Sequence, residues 1–369
     1  MNQGIVSSLV RWYRSSRRDL PWRRDPDPYR VWISEAMLQQ TTVKTVLGYY
    51  ERFLERFPSI AALAAAREAD VMAAWSGLGY YSRARNLRAA AREIVAEHGG
   101  AFPDDAASVA ALPGFGPYTT GAVLSIAFGR RVPLVDGNVA RVLARIFLVR
   151  GDPKSSAVRA KLWSIAGDLV ALAADPSDWN QALMELGALV CTPRKPACLL
   201  CPVSSECRAR RAGVEETLPE KTARKASRAV EGAAVVARRG RKILLVRRGD
   251  DEDVLPGIWE PPGVLFWSGP GRPDARAVEA AVRDRHGLTL RVRDRLTEVA
   301  HTITTRRLTT SVFAGDAISP LPRDRNRARW VDPDELDDLP LSSLARKVLR
   351  AALEIAPATA SAGNARGRS

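Results

Sequence analysis

The chain has 369 residues, a formal net charge of +15 and a pI of about 10.2. Its length allows two domains with sizeable cores, and its basic excess predicts a polyanionic partner such as DNA. Residues 1–18 are polar and basic, and no apolar run is long enough to span a bilayer, so we expect a cytoplasmic protein without a signal peptide or membrane span. The alternative explanation of the charge is a generally basic surface.

The first part of the chain predicts helices joined by short loops, with no strand alternation. In the helix that begins near Pro28, the residues Val31, Glu35 and Leu38 share one face. A carboxylate on an apolar face needs a partner or a function, and burial would raise its pKa toward neutrality. The alternative is a glutamate at the edge of that face, paired with Arg30 or Lys44. Helices are predicted over residues 5–13, 28–41, 43–57, 60–75 and 82–97.

Two glycine-containing segments indicate contact with nucleic acid. Tyr80 and Tyr81, followed by two arginines, suit base stacking beside phosphate contact, but also packing in a turn between helices. In Leu-Pro-Gly-Phe-Gly at 112–116, Gly114 and Gly116 allow backbone N–H groups to approach a phosphate, and Pro117 then begins a helix. This favours a helix-hairpin-helix at 112–122, although a glycine turn between two packed helices fits the same sequence.

Asp136 precedes a further predicted helix, where it is either an ordinary N-cap or a second carboxylate facing Glu35 across a cleft. The four cysteines follow at Cys191, Cys198, Cys201 and Cys207, and none occurs elsewhere. Clustered cysteines in a reducing compartment indicate a metal site, either a [4Fe–4S] cluster or a structural zinc. The spacing does not match ordinary zinc modules, and basic residues surround the loop.

The composition changes after the cysteine loop. Residues 213–230 are predicted to be a linker, and residues 231–356 a separate α+β domain with strands near 233–237, 242–247, 289–300 and 306–314 and helices over 276–286 and 342–355. The last residues, 357–369, are predicted to be a disordered tail.

The first part of the chain closely resembles adenine DNA glycosylases of the MutY family, in the endonuclease III superfamily. The resemblance implies an all-α helix-hairpin-helix glycosylase domain over 1–212, with a [4Fe–4S] loop at 191–207. The rest is similar to the family's C-terminal Nudix-like domain, an α+β domain that recognises 8-oxoguanine. The matching stretches lie in unbroken order within residues 5–210: 20–22, 34–41, 77–81, 112–116, 135–138 and the four-cysteine loop.

The resemblance implies base excision repair by hydrolysis of the N-glycosidic bond of adenine, flipped out of the duplex. Glu35 would protonate the adenine N7, and ionised Asp136 would stabilise the oxocarbenium-like sugar. Tyr118 and Asn138 would orient Asp136 and water. Bifunctional relatives carry a lysine at position 118, whereas Tyr118 forms no imine, so the enzyme is expected to be monofunctional.

Family resemblance also implies the binding residues. Trp22, Arg23, Leu38 and Gln181 would line the adenine pocket, Gln40 and Tyr80 would probe the base stack, and Gly114 and Gly116 would contact the DNA backbone. The partner would be double-stranded DNA containing A:8-oxoguanine or A:G, bound by a monomer in the bacterial cytosol and nucleoid. Cys191, Cys198, Cys201 and Cys207 would hold the cluster.

The C-terminal domain departs from the family's sequence pattern at two places. Counting back from Gly287, the Nudix metal-binding positions are Ala280-Ala281 and Asp284-Arg285, so nucleotide hydrolysis is not expected. The family's Phe-Ser-His loop is replaced by Ile303, Thr304 and Thr305, which weakens the expected lesion preference. Thr304 and Thr305 remain candidate lesion contacts, and Arg306 and Arg307 are candidate phosphate contacts. The alternatives are a glycosylase with weak lesion discrimination, a cluster-bearing DNA-binding protein without catalysis, and a nucleotide-pool hydrolase.

Overall fold

The computed structural model describes residues 2–355, except 221, 223–226, 253, 270, 304, 319, 323 and 325. The chain divides into two compact units, Met1–Ala66 with Arg85–Ala223 and Arg67–Ala84 with Arg224–Ser369. Residues 67–84 therefore group with the C-terminal part, whereas the sequence predicted them within a helical domain over 1–212. The predicted tail at 357–369 lies outside the described residues. Among the described residues, no helix has both the length and the apolar character that crossing a membrane requires.

The described part of the first unit is helical, as the sequence predicted. Side-chain N-caps fix several helix starts, including Asp27, Thr42 and Asp175. The helices up to residue 98 are α1 (Asn2–Ser16), α2 (Pro21–Arg24), α3 (Pro28–Leu38), α4 (Val43–Arg56), α5 (Ile60–Ala65), α6 (Glu68–Ala74, in the second unit) and α7 (Ser82–His98). The following helices are α8 (Ala106–Ala111), α9 (Pro117–Phe128), α10 (Gly137–Ile146), α11 (Ser156–Ala171), α12 (Pro176–Leu189) and α13 (Arg208–Arg211).

The prediction of one helix over 60–75 is wrong, because the helical conformation is interrupted between α5 and α6. Ala66 is extended, with φ −62° and ψ 146°, and Arg67 is extended as well. Arg88 Nε donates to the Ala66 carbonyl at 2.6 Å, and this bond satisfies an acceptor left free by the break. The short helix α2 also differs from the prediction, because no helix was predicted between residues 13 and 28.

The buried helix α9 is central to the first unit. Pro117 begins it, and Gly129 ends it with a left-handed φ of 62°. At Gly121 a Cβ would lie 2.1 Å from the Pro133 carbonyl oxygen, so a residue without a side chain is required for this close approach. α9 packs against α3 and α12, and α10 also packs against α12. These contacts bring the starts of α9 and α10 to the face of α3 that carries Glu35.

A mixed sheet forms the core of the second unit. The strands are β1 (Arg228–Arg239), β2 (Lys242–Arg247), β3 (Trp259–Glu260), β4 (Gly263–Val264), β5 (Leu290–Ile303), β6 (Arg306–Ala317) and β7 (Ala328–Val331). Their order is β3-β2-β1-β6-β5, with β1 and β6 parallel, β4 beside β1 and β7 beside β2. β1 begins inside the segment predicted as a linker, and the short strands β3 and β4 lie where no strand was predicted.

Two helices cover opposite faces of this sheet, α14 (Ala275–His286) and α15 (Ser343–Ile355). Ala234 and Val236 of β1 pack in the core that contains α15, whereas Val235 packs in the core that contains α14. This alternation follows from the two-residue repeat of a strand. The predicted α+β domain is confirmed.

Candidate active site

One cavity of about 710 Å³ lies in the first unit. It borders α2, α3, α9, α10 and α12 together with the hairpin before α9. Its volume lies within the range of ligand-binding pockets, about 300–1,000 Å³. The predicted site residues that line it are Trp22, Arg23, Glu35, Leu38, Gln40, Gly114, Gly116, Tyr118, Asp136, Asn138 and Gln181.

Glu35 lies on the cavity side of α3 and is 5% exposed. Burial raises the pKa of its carboxyl from 4.5 to about 7, a hydrogen bond from Tyr118 opposes the shift, and the charge of Asp136 adds to it. The sequence left two interpretations of Glu35 open, and its burial favours the carboxylate on the apolar face over a glutamate at the edge of that face. At neutral pH a large fraction of this carboxyl therefore carries a proton.

Asp136 is the N-cap of α10. One carboxylate oxygen accepts the Val139 N–H at 2.7 Å, and the other accepts Asn138 Nδ2 at 3.1 Å. Burial raises the pKa of Asp136, while hydrogen bonds from Val139 and Asn138 act to lower it. The two interpretations of Asp136 are thus compatible, since the N-cap carboxylate also lines the cavity.

Tyr118 is hydrogen-bonded to Glu35, and not to Asp136 as the family resemblance implied. Its hydroxyl donates to Glu35 Oε2 and also lies 3.5 Å from Met184 Sδ. Tyr118 is the second residue of α9, which packs along α3, and this packing directs the phenol to Glu35. Asn138 does contact Asp136, as expected.

Arg141 orients Asn138. Its Nη2 donates to Asn138 Oδ1 at 2.9 Å, and its Nε donates to the Cys191 carbonyl at 2.7 Å. Because the amide oxygen is occupied by a donor, the amide nitrogen of Asn138 faces Asp136. Gly187 of α12 packs on this asparagine, since a Cβ there would lie 2.7 Å from Asn138 Cβ. Sequence reasoning missed Arg141, which is 8% exposed. The available signal was an arginine between apolar residues of the helix that Asp136 begins.

The adenine-pocket candidates include an arginine that is already paired. Arg23 donates two hydrogen bonds to Glu185, at 3.0 and 2.9 Å, and Arg18 donates to the same carboxylate. Although burial acts to raise the pKa of Glu185, hydrogen bonds from Arg18 and Arg23 lower it to about 2. Glu185 and Arg18 also line the cavity and were missed from the sequence.

The remaining binding candidates are divided between the units. Gln40 borders the cavity with φ 61°, a left-handed conformation that is uncommon outside glycine. At Gly116, the N-cap of α9, an added Cβ would meet no atom within 4 Å, so internal packing does not require glycine there. Tyr80 and Thr305 belong to the second unit and are exposed. Thr304 lies outside the described residues.

The four cysteines line a second, smaller cavity with apolar neighbours from α10 and α12. Arg145 Nη1 lies 3.3 Å from Cys191 Sγ and donates to the Thr192 carbonyl at 2.7 Å. No group of three or more histidine, cysteine or acidic side chains arranged to hold a metal ion is found in the part of the chain that is described. The sulfurs nevertheless share one enclosed space, and a buried guanidinium faces one of them.

In the second unit, Arg285 takes the place of a Nudix metal-binding glutamate. It pairs with Glu252, which also pairs with Arg248, and Arg248 binds Glu260 at 2.8 Å. The carboxylates nearest to this position are thus neutralised by guanidinium groups. A divalent cation would have to displace them.

Comparison with known proteins decides the family. The adenine DNA glycosylase of Homo sapiens is 38% identical over 400 residues, covering 93% of this chain and 73% of the human protein. The adenine DNA glycosylase of Rattus norvegicus is 36% identical and covers the same share of this chain and 77% of its own length. The chain belongs to the adenine DNA glycosylase family.

Within this glycosylase, separate domain families match the two parts. Residues 33–167 match the HhH-GPD superfamily of base excision DNA repair proteins, and residues 232–351 match the NUDIX domain. The solved structure of a thermostable thymine-DNA glycosylase is 31% identical, with a TM-score of 0.52, over 57% of this chain and 97% of its own. The enzyme class and the helix-hairpin-helix and Nudix-like folds expected from the sequence are thereby confirmed.

Proposed function

We propose that this glycosylase releases adenine mispaired with 8-oxoguanine or guanine in double-stranded DNA, and that it acts as a monofunctional monomer. The observation that carries the proposal is the buried, largely protonated Glu35 in one cavity with Asp136. Two carboxyl groups in different environments suit cleavage of a glycosidic bond.

Glu35 acts as the general acid. It delivers its proton to N7 of the flipped adenine, and the C1′–N9 bond breaks with its electron pair leaving on the base. Tyr118 holds the carboxyl of Glu35 at the cavity wall through their hydrogen bond. Proton transfer of this kind is worth about 10²–10⁴-fold in rate.

Asp136 acts as the anion beside the developing positive charge on the sugar. Its ionised form is favoured by the Val139 N–H, the Asn138 amide and the charge of Arg141. Burial acts to raise the pKa of Asp136, so these groups oppose that rise and favour the ionised carboxylate that this role requires. Water then adds to C1′ and gives an abasic site.

The monofunctional assignment rests on position 118. A lyase nucleophile attacks C1′ as an amine and forms an imine, which the Tyr118 phenol does not do. Burial and the negative charges of Glu35 and Asp136 raise the pKa of Tyr118 well above its usual range, so the phenol stays neutral and serves as a hydrogen-bond donor.

We assign a [4Fe–4S] cluster to Cys191, Cys198, Cys201 and Cys207. The shared cavity and the soft thiolate donor set fit such a cluster, and the Arg145 guanidinium suits its negative charge. When bound, the cluster supplies a fixed cross-link for the loop after α12. Iron, sulfide and zinc analysis of the purified protein tests this assignment. Zinc in place of iron and sulfide would contradict it.

The β5–β6 turn is the proposed lesion-reading segment, with Ile303 and Thr305 in place of the family's aromatic and histidine residues. Ile303 packs against the core of the second unit. Arg306 lies over the Phe266 ring at 4.5 Å, so this cation stacks on an aromatic ring rather than extending free. We expect Arg307, which is exposed, to be the stronger phosphate contact of the two arginines.

Single-turnover adenine release tests the proposal, with matched duplexes that carry adenine opposite 8-oxoguanine, guanine or thymine at one salt concentration. We expect fast release opposite 8-oxoguanine, slower release opposite guanine and none opposite thymine. Equal rates for the first two would remove the lesion preference. No release from any duplex would remove the proposed activity.

A further inference from the structure

The loop that carries Tyr80 is part of the second unit. Tyr80 is 51% exposed, and its φ of 48° is left-handed. The Arg83 guanidinium lies 5.6 Å from the centre of its ring and donates to the Leu78 and Gly79 carbonyls at 3.2 and 3.1 Å. The loop thus presents one aromatic ring to solvent from a hydrogen-bonded backbone.

Both ends of this loop are bonded to Leu341, which precedes α15. Ser76 Oγ donates to the Leu341 carbonyl at 2.9 Å and accepts the Leu341 N–H at 3.0 Å. The Tyr81 hydroxyl donates to the same carbonyl at 2.6 Å and accepts the Gly77 N–H at 3.2 Å. Ser76, Tyr81 and Leu341 are all buried, so these bonds are shielded from water.

Arg346 of α15 completes the arrangement. Its Nη2 donates to Ser76 Oγ at 3.0 Å, and its Nη1 donates to Asp337 at 2.6 Å. Arg346 Nε also lies within 3.3 Å of Ser76 Oγ, so the Ser76 hydroxyl donates its one proton to Leu341 and accepts from Leu341 and from the guanidinium. We call Ser76, Tyr81, Leu341 and Arg346 the Tyr80 anchor.

The anchor joins the Tyr80 loop to the sheet of the Nudix-like domain. Leu341 forms a parallel bridge with Trp259 of β3, and the Trp259 N–H donates to the Pro340 carbonyl at 2.9 Å. Buried, mutually satisfied hydrogen bonds of this kind are costly to break singly, because each partner left behind is desolvated. The conformation of the Tyr80 loop therefore depends on residues about 265 positions later in the chain.

We propose that Ser76, Tyr81 and Arg346 are positioning residues that hold the Tyr80 loop on the Nudix-like domain, so that this ring enters the base stack together with lesion recognition. The proposal rests on the proposed function and on the role that the family resemblance implies for Tyr80, which is contact with the base stack. A ring whose plane is preset loses less conformational freedom when it stacks on a base, so more of the stacking energy appears as binding.

Conservative variants test the anchor. Tyr81→Phe removes one hydroxyl, and Arg346→Met removes the charge while it keeps much of the apolar stem. Tyr29→Phe is the matched control, because the buried Tyr29 hydroxyl donates to the Phe57 carbonyl at 2.7 Å in the first unit. The first readout is the single-turnover rate on A:8-oxoguanine DNA. The second is the fluorescence of 2-aminopurine placed beside 8-oxoguanine, measured with Glu35→Gln present so that the substrate survives.

We expect either anchor variant to lower the rate about five-fold, because each removes buried hydrogen bonds worth about 1 kcal/mol apiece, and to diminish the fluorescence change on binding. Tyr29→Phe should lower the melting temperature by a similar amount and change neither readout. Anchor variants that match Tyr29→Phe in both readouts would overturn the proposal. If Tyr81→Phe does not fold, Arg346→Met carries the test.

A double-mutant cycle distinguishes positioning of Tyr80 from a general effect on stability. If the anchor acts through Tyr80, Tyr81→Phe should have no further effect on rate in a Tyr80→Ala enzyme. Additive losses would overturn the proposal. Failure of the wild-type enzyme to release adenine would instead refute the proposed function, so the two failures are distinguishable.

Discussion

Tyr118 donates its hydroxyl to Glu35, which lies 83 positions earlier in the chain. The bond favours the ionised carboxylate and so limits the rise in the pKa of Glu35 that burial causes. Tyr118 thereby limits the pH range over which Glu35 holds the proton that the proposed mechanism delivers to adenine.

Tyr118→Phe should therefore shift the pH dependence of adenine release. Without the hydrogen bond, the pKa of Glu35 rises further above about 7, and the decline in single-turnover rate at high pH moves to higher pH. The maximal rate should fall roughly ten-fold because the carboxyl loses its fixed orientation. A pH–rate profile measured from pH 5 to 9 checks this, and an unchanged profile would contradict it.

Glu35→Gln should abolish excision and retain DNA binding, because the amide has no acidic proton to deliver. The expected loss is roughly a thousand-fold. Single-turnover kinetics and a binding titration on the same A:8-oxoguanine duplex separate the two effects. Substantial residual release would show that another group is the acid.

Glu35 should also make stability depend on pH. Its pKa is about 7 in the folded enzyme and near 4.5 in the unfolded chain. Its contribution to the free energy of unfolding is therefore fully present below pH 4.5 and is lost as pH rises through about 7. Glu35→Gln should therefore gain stability relative to the wild type between pH 5 and pH 8, by on the order of 3 kcal/mol. Urea unfolding at both pH values measures the difference, and a constant difference would refute the burial argument.

Asp136→Asn should separate capping from catalysis. Asparagine is as good an N-cap as aspartate, so α10 should keep its stability within about 1 kcal/mol. The lost negative charge should slow release roughly a hundred-fold or more, since no anion then faces the oxocarbenium-like sugar. Thermal melting and single-turnover rates test both statements. A large fall in melting temperature would mean that the defect is structural.

Gly187→Ala should impair release through Asn138. The added Cβ would lie 2.7 Å from Asn138 Cβ and displace the amide that donates to Asp136. We expect a rate loss of about ten-fold and a destabilisation of about 1–3 kcal/mol. Gly167→Ala is the control, because a Cβ there meets no atom within 4 Å. It should leave the rate unchanged and stabilise α11 by about 0.5–1 kcal/mol.

Local patterns in the sequence determined where helices begin and which of their faces are apolar. The apolar face around Glu35 made its burial one of two interpretations, and the residues before α10 predicted the N-cap at Asp136. Both depend on neighbours within a few positions, where helical periodicity and capping chemistry act. The family match was carried by such short motifs as well.

Tertiary structure decided which distant groups meet. The bond from Tyr118 to Glu35, the pairing of Arg23 with Glu185, and the bonds from Ser76 and Tyr81 to Leu341 join residues between 83 and 265 positions apart. No periodicity specifies such partners, because they depend on how helices and strands pack. For the same reason the sequence did not show that residues 67–84, which lie within the HhH-GPD match, form buried hydrogen bonds with Leu341 of the Nudix-like domain.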